Sequence, residues 1–337
     1  MNSMRSKIAV VAGTLIAAAT LARSATMKAI VAHEYGGPEV LKYEDAPRPE
    51  PKENEVLIRV MAASINPVDV AIREGYLKKL VGDRFPLILG MDAAGVIEKV
   101  GTKIDKFKAG DPVIAFFTLA SEGGYAQFVV ATENEIAHKP NAITFEQAAA
   151  VPAAGSTAWK ALVETGDLKV GQTVLIHGGS GGVGHFAIQI AKARGAKVIA
   201  TASSANQDFL KQLGADVAID YTKEKFEGIA KDVDLVLDTV GEDTLRRSYG
   251  VVKKGGMIVS IADRVDPNEL ASCGIRGKSI RTEPNEKTLE ELVKLIDSKK
   301  IRPVVSQVLP LSEVGKAHQQ IATHHTRGKV VLKIAGA

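Results

Sequence analysis

The sequence predicts an α/β protein in two parts: a β-rich first half built of short strands, then a parallel sheet wound with helices on both faces. Three observations carry this expectation. Before about Val151 the apolar runs are short and punctuated by Gly and Pro. After Pro152 runs of strand length alternate with segments of helical spacing, which implies crossover connections and parallel pairing. Between the first such strand and its helix lies a loop of five glycines, Gly178-Gly179-Ser180-Gly181-Gly182-Val183-Gly184.

Taken in order, Val56–Val60, Ala94–Val100, Pro112–Ala115 and Ala126–Val130 read as short strands. Gly36-Gly37-Pro38, Gly110-Asp111-Pro112 and Gly123-Gly124 separate them, as a short-stranded barrel requires. Thr173–His177, Lys197–Thr201, Asp216–Ile219, Asp234–Asp238 and Met257–Ile261 form the later strand series. Val183, Ala187, Ile190 and Ala191 recur at helical spacing, and Leu289–Ile296 is a last amphipathic helix. Pro303–Val305 and Gly328–Ile334 return to strand character. The expected organisation is 27–151, completed by 303–337, and 152–302 as the second domain.

Composition excludes several classes. With 337 residues, 45% apolar and 24% charged, the chain is long enough for two packed domains without staples. Net charge is +4, but Arg5, Lys7 and Arg23 all lie in 1–26, so the remainder carries 4 − 3 = +1. Such a body gives no electrostatic reason to expect nucleic acid or an anionic membrane as partner. Cys273 is the only cysteine, so neither an internal disulfide nor a cysteine-rich metal site can form. Cys273 and the histidines His318, His324 and His325 read as a buried inert thiol and a solvated helix end.

Residues 1–26 read as an export signal: a cationic start, an apolar run from Ile8 to Ala22, then small residues around Ala22-Arg23-Ser24. The expectation is a periplasmic or secreted protein. The alternative is a cytoplasmic protein whose true start is Met27.

The glycine loop carries the chemistry. Gly179, Gly181 and Gly184 satisfy GxGxxG directly after a strand and directly before a helix. In the Rossmann arrangement the first glycine permits the turn, the second admits a pyrophosphate and the third lets helix pack on strand. Gly179, Ser180, Gly181, Gly182, Val183 and Gly184 are therefore expected to hold a dinucleotide at the helix N-terminus. Lys192–Gln207 contains no acid to grip a ribose 2′-hydroxyl. The second strand ends instead at Ser203 and Ser204, hydroxyls able to donate to a 2′-phosphate. NADP is favoured, although no Lys or Arg stands at 203–207.

Five ordered motifs then resemble a known family: MKAIVAHEYGGPEVL from Met27, Ser64-Ile65-Asn66-Pro67-Val68-Asp69, Pro86–Gly95, Gly155-Ser156-Thr157-Ala158-Trp159 and the glycine loop. Together they are similar to the zinc-free quinone oxidoreductase branch of the medium-chain dehydrogenases/reductases, over essentially all of 27–337. The resemblance implies a GroES-like catalytic domain beside a Rossmann domain, a cleft between them, and a homodimer. Zinc relatives place a cysteine near the Asn66 position and use Gly-His-Glu, where this chain has Gly90-Met91-Asp92, so no metal is expected. By resemblance Asn66 and Tyr76 face the substrate, Thr157 lies near the cofactor phosphates, and Tyr221 borders the 2′-phosphate.

The expected activity is hydride transfer from NADPH to quinones or α,β-unsaturated carbonyls, with Asn66 donating to the acceptor oxygen and protonation by water or Tyr76. Two rivals stand beside it. One is a reductase of another activated alkene; the other is an NADPH-binding sensor without turnover.

Overall fold

A computed structural model describes residues 25–323 and 325–334. The first half contains β1 (Thr26–Ala32), β2 (Leu41–Pro47), β3 (Glu55–Ser64), β4 (Leu87–Ile88), β5 (Asp92–Val100), β6 (Pro112–Phe116), β7 (Phe128–Thr132) and β8 (Ile136–His138). Strands β2, β1 and β4 pair in that order as a small sheet. The second half supplies β9 (Thr173–Ile176), β10 (Lys197–Ala202), β11 (Val217–Asp220), β12 (Val233–Asp238), β13 (Val252–Ser260) and β14 (Arg276–Ser279). The chain closes with β15 (Val305–Pro310) and β16 (Lys329–Lys333).

Strands β9 to β14 form one parallel sheet in the order β11-β10-β9-β12-β13-β14. Order therefore reverses between β9 and β12, and ligands of open α/β sheets bind at the carboxyl ends of strands at such a switch. The glycine loop leaves β9 there. The central strands are apolar on both faces because helices cover both; Val174, Leu175 and Ile176 are fully buried. Full burial of each such aliphatic side chain stabilises by roughly 1.5–3 kcal/mol.

The other large sheet runs β15-β16-β3-β5-β6-β8, with β7 on β3. Strand β16 pairs antiparallel with β3, Val331 opposite Ser64. The end of the chain thus lies beside Asn66 although more than 260 residues separate them. One apolar cluster joins Ala62, Met91 and Ile114 of the first half to Ala153, Leu237 and Val331, so a continuous core fixes the two halves to each other.

Several expectations need correction. The short helix Pro67–Arg73 was not expected, because seven residues are too few to show a period; Asn66 at its start and Pro67 in its first turn are the legible signals. Strand β14 was missed because Arg276-Gly277-Lys278-Ser279 is polar and lies at an exposed sheet edge. Cys273 is exposed, at the end of the helix Pro267–Cys273. His318 is no solvated helix end: it is fully buried, and burial pushes its imidazole down to about 3. His324 lies outside the described residues. The first domain also includes residues just before 27, since Thr26 opens β1 and the Ala25 carbonyl accepts from Arg48 N at 2.9 Å.

Candidate active site

The glycine loop has the backbone geometry that anion binding needs. Gly178 adopts φ +64°, which only glycine takes readily, and the turn closes by Gly181 N donating to Gly178 O at 3.0 Å. A methyl on Gly184 would stand 2.2 Å from Gly178 O, so this position admits no side chain while the following helix, Gly184–Ala193, packs on the turn. Among the described residues no backbone acceptor takes the N–H of Ser180, Gly182 or Val183. These free amides at a helix N-terminus fit a pyrophosphate. The loop is braced from behind by His185, whose Nδ1 lies 3.0 Å from Gly181 O, while Val304 N donates to its Nε2 at 3.3 Å. Burial lowers His185 to about 4, keeping it neutral. His177, at the end of β9, is also buried and lowered to about 4, with Thr201 and Ser248 hydroxyls at its two nitrogens.

Beyond β10 the arrangement differs from the expectation. Ser203 and Tyr221 do lie at one edge, since Tyr221 N donates to Ala202 O at 3.3 Å and Tyr221 is 55% exposed. The Ser204 hydroxyl is not free, however: it donates to Asp220, which also accepts from Thr222 Oγ1 at 2.6 Å. Those hydrogen bonds, Ser204 first, hold Asp220 down to about 2. An acid is therefore present after all, from the third strand instead of the second. A cation arrives too. Arg327 donates through Nε to Asn206 Oδ1 at 2.9 Å and through Nη2 to Ala205 O at 3.0 Å, setting an exposed guanidinium on the loop after β10. It comes from more than 120 residues along the chain, so residues 203–207 carry no local sign of it.

Asn66 is 6% exposed and belongs to a buried polar cluster. Its Nδ2 donates to Asp92 Oδ2 at 2.8 Å, and its Oδ1 accepts from Lys329 Nζ at 2.5 Å. Lys329 Nζ also donates to Ile65 O at 2.9 Å and lies 3.5 Å from Asp92 Oδ2. Ser64 Oγ and Ala153 N complete the Asp92 shell at 2.5 and 2.7 Å. Asp69 accepts from Asn66 N, Tyr125 Oη and Met91 N, yet burial still raises it to about 7. Burial lowers the Lys329 ammonium. One Asn66 N–H remains after the bond to Asp92, so the amide keeps one donor for a ligand.

Two expected residues stand apart. Tyr76 is 78% exposed, and among the described residues no hydrogen bond reaches its hydroxyl. Thr157 turns its hydroxyl back to Ala153 O at 2.7 Å, so it offers acceptor lone pairs instead of a free proton. Ser64, Asp92 and Lys329 were not singled out from sequence. The only local signal was Asp92 in the motif read for zinc ligands.

Residues 52–141 match the alcohol dehydrogenase GroES-like domain, and residues 213–332 match the model described as zinc-binding dehydrogenase. At the positions of the zinc motif this chain places Met91 and Asp92, with the Lys329 ammonium beside Asp92. Among the described residues no group of three His, Cys, Asp or Glu is placed to hold a metal.

The chain is 39% identical to the chloroplastic NADPH-dependent alkenal/one oxidoreductase of Arabidopsis thaliana, over 91% of this chain and 79% of that one. It is 34% identical to the mitochondrial NAD(P)H oxidoreductase RTN4IP1 of Danio rerio, over 93% and 92%. The quinone oxidoreductase of Coxiella burnetii superposes with TM-score 0.86 at 38% identity, covering 92% of this chain and 99% of that one. These relatives overturn the export reading of 1–26, because the two that are named for a compartment are organellar. A cationic, acid-free leader is shared by secretory and organelle-targeting segments, so its pattern did not discriminate. Residues 1–24 lie outside the described residues. The chain is a nicotinamide-dependent oxidoreductase and belongs to the quinone oxidoreductase-like family of medium-chain dehydrogenases/reductases.

Proposed function

We propose that the protein is a zinc-independent reductase that uses NADPH to reduce quinones or α,β-unsaturated carbonyls. The observation that supports this most is the Asn66 amide, buried, charge-oriented and holding one unused N–H within the cluster that Lys329 shares with the glycine loop. A bound nicotinamide would supply the hydride. The glycine-loop amides would hold its pyrophosphate, and Arg327 would meet a 2′-phosphate. Asp220 sits at the same edge with its charge answered by Ser204, Thr222 and Lys223, which limits the preference over NADH without abolishing it.

In a conjugated acceptor, hydride adds to carbon while the electron pair moves to the carbonyl oxygen. The remaining Asn66 N–H donates to that oxygen as charge develops. One proton from water completes the reduction. Metal assistance is not required for such an acceptor, and the Lys329 ammonium would repel a cation at Asp92. The family resemblance also supports a homodimer.

Steady NADPH oxidation with a panel of quinones and enones, by protein shown metal-free by elemental analysis, tests this reading. Asn66→Ala is expected to lower kcat by roughly 100-fold, the scale of one oxyanion donor. Tight NADPH binding without turnover on any acceptor would favour a binding protein.

A further inference from the structure

Three consecutive residues near the end of the chain touch three separate stations of the site. Arg327 bonds the 205–206 loop, Gly328 N donates to Ser180 O at 2.8 Å, and Lys329 reaches Ile65 and Asn66. The Lys329 stem also crosses the glycine loop: a methyl on Gly182 would stand 3.2 Å from Lys329 Cδ. A backbone bond on the β3 side, Ile65 N to Val330 O at 3.0 Å, fixes this stretch to the chain that carries Asn66.

A side-chain amide can rotate end for end, and its partners alone decide which edge faces where. Here an ammonium faces Oδ1 and a carboxylate faces Nδ2. The reversed amide would set N–H against the ammonium and oxygen against the carboxylate, two repulsive contacts in a buried setting where polar mismatches are costly.

We propose that Lys329 is a positioning residue: its ammonium fixes the Asn66 amide with the unused N–H presented to the acceptor, and the 327–329 strap ties that amide to the loop that holds the cofactor. This rests on the reductase reading. Lys329 acts through Asn66, not on the substrate.

Lys329→Met keeps most of the stem across Gly182 and removes the charge. Its kcat with an enone is expected to fall at least 30-fold, while the NADPH Kd changes less than threefold. In an Asn66→Ala background, Lys329→Met is expected to cost less than threefold more, because the group it orients is gone. With selectively labelled asparagine, the Asn66 side-chain NH2 resonances, identified by their absence in Asn66→Ala, are expected to move in Lys329→Met. Unchanged kcat, fully multiplying losses in the double variant, or unmoved resonances would each overturn the proposal. If Lys329→Met does not fold with Asp92 left unpaired, the charge-free Asp92→Asn/Lys329→Met pair replaces it, judged against Asp92→Asn alone. A wild-type protein that turns over no acceptor would defeat the reductase reading, and the resonance measurement would still decide the positioning role.

Discussion

The glycine loop and the Asn66 cluster solve their problems in opposite ways. The loop assembles seven neighbouring residues, and what it offers a ligand is backbone amides and the absence of side chains. The cluster draws Ser64, Asn66 and Asp69, then Asp92, Tyr125 and Lys329, from four stretches of chain, and what it sets up is side-chain charges facing one another. The first tolerates nothing added. The second tolerates nothing removed, because each buried polar group is its neighbour's partner.

The sharpest way to break this contrast is Asp92→Ala. It leaves the Lys329 ammonium, the Asn66 amide, Ser64 Oγ and Ala153 N facing a void, and is expected to cost roughly 3–5 kcal/mol, as loss of one partner of a buried ion pair does. Urea unfolding measures it; a loss under about 1 kcal/mol would show the cluster to be dispensable.

Gly184→Val tests the loop by addition. A side chain directed at Gly178 O, 2.2 Å from its first carbon, must displace the turn or the helix. Dinucleotide affinity is expected to drop about 100-fold, near 2.7 kcal/mol, and calorimetric titration reads it. Retained affinity would mean that the loop does not hold the pyrophosphate.

Arg327→Gln sharpens the comparison at the adenosine end. Loss of one exposed charged donor is expected to weaken NADPH about tenfold, near 1.4 kcal/mol, and to leave NADH unaffected. Equal changes for both cofactors would remove Arg327 from the 2′-phosphate.

The mildest test leaves neutral pH untouched. His177, His185 and His318 are all held below their ordinary range by burial. A neutral buried imidazole contributes stability above its unfolded value near 6.5, and that contribution is lost as pH falls toward about 4 and 3. Unfolding in that window takes up these protons, so melting temperature should fall steeply with acid. His177→Asn is expected to reduce the slope by one proton, about 1.4 kcal/mol per pH unit, with no change in slope above pH 7.

Local sequence was sufficient for the fold class, the strand series and the loop, since alternating apolar runs and a strand-glycine-helix order are written in adjacent residues. Asn66 and Tyr221 were singled out only through the resemblance of their motifs, and Ser203 by its place after the second strand of the glycine-loop half; the structure puts Asn66 in a buried cluster and Tyr221 at an exposed edge. Short or polar elements escaped: Pro67–Arg73 shows too few turns, and β14 buries too little to need an apolar pattern. Ser204 looks free in the sequence because its partner, Asp220, belongs to the next strand.

By itself the sequence determined where backbone amides could meet a pyrophosphate, because that property depends on a few consecutive residues and their allowed dihedrals. Only the tertiary structure decided which charges meet. Arg327 and Lys329 look like ordinary surface cations until β16 pairs with β3 and lays one on the 205–206 loop and the other inside the cluster. Charge pairing depends on distance in space, and strand register, not proximity along the chain, sets that distance.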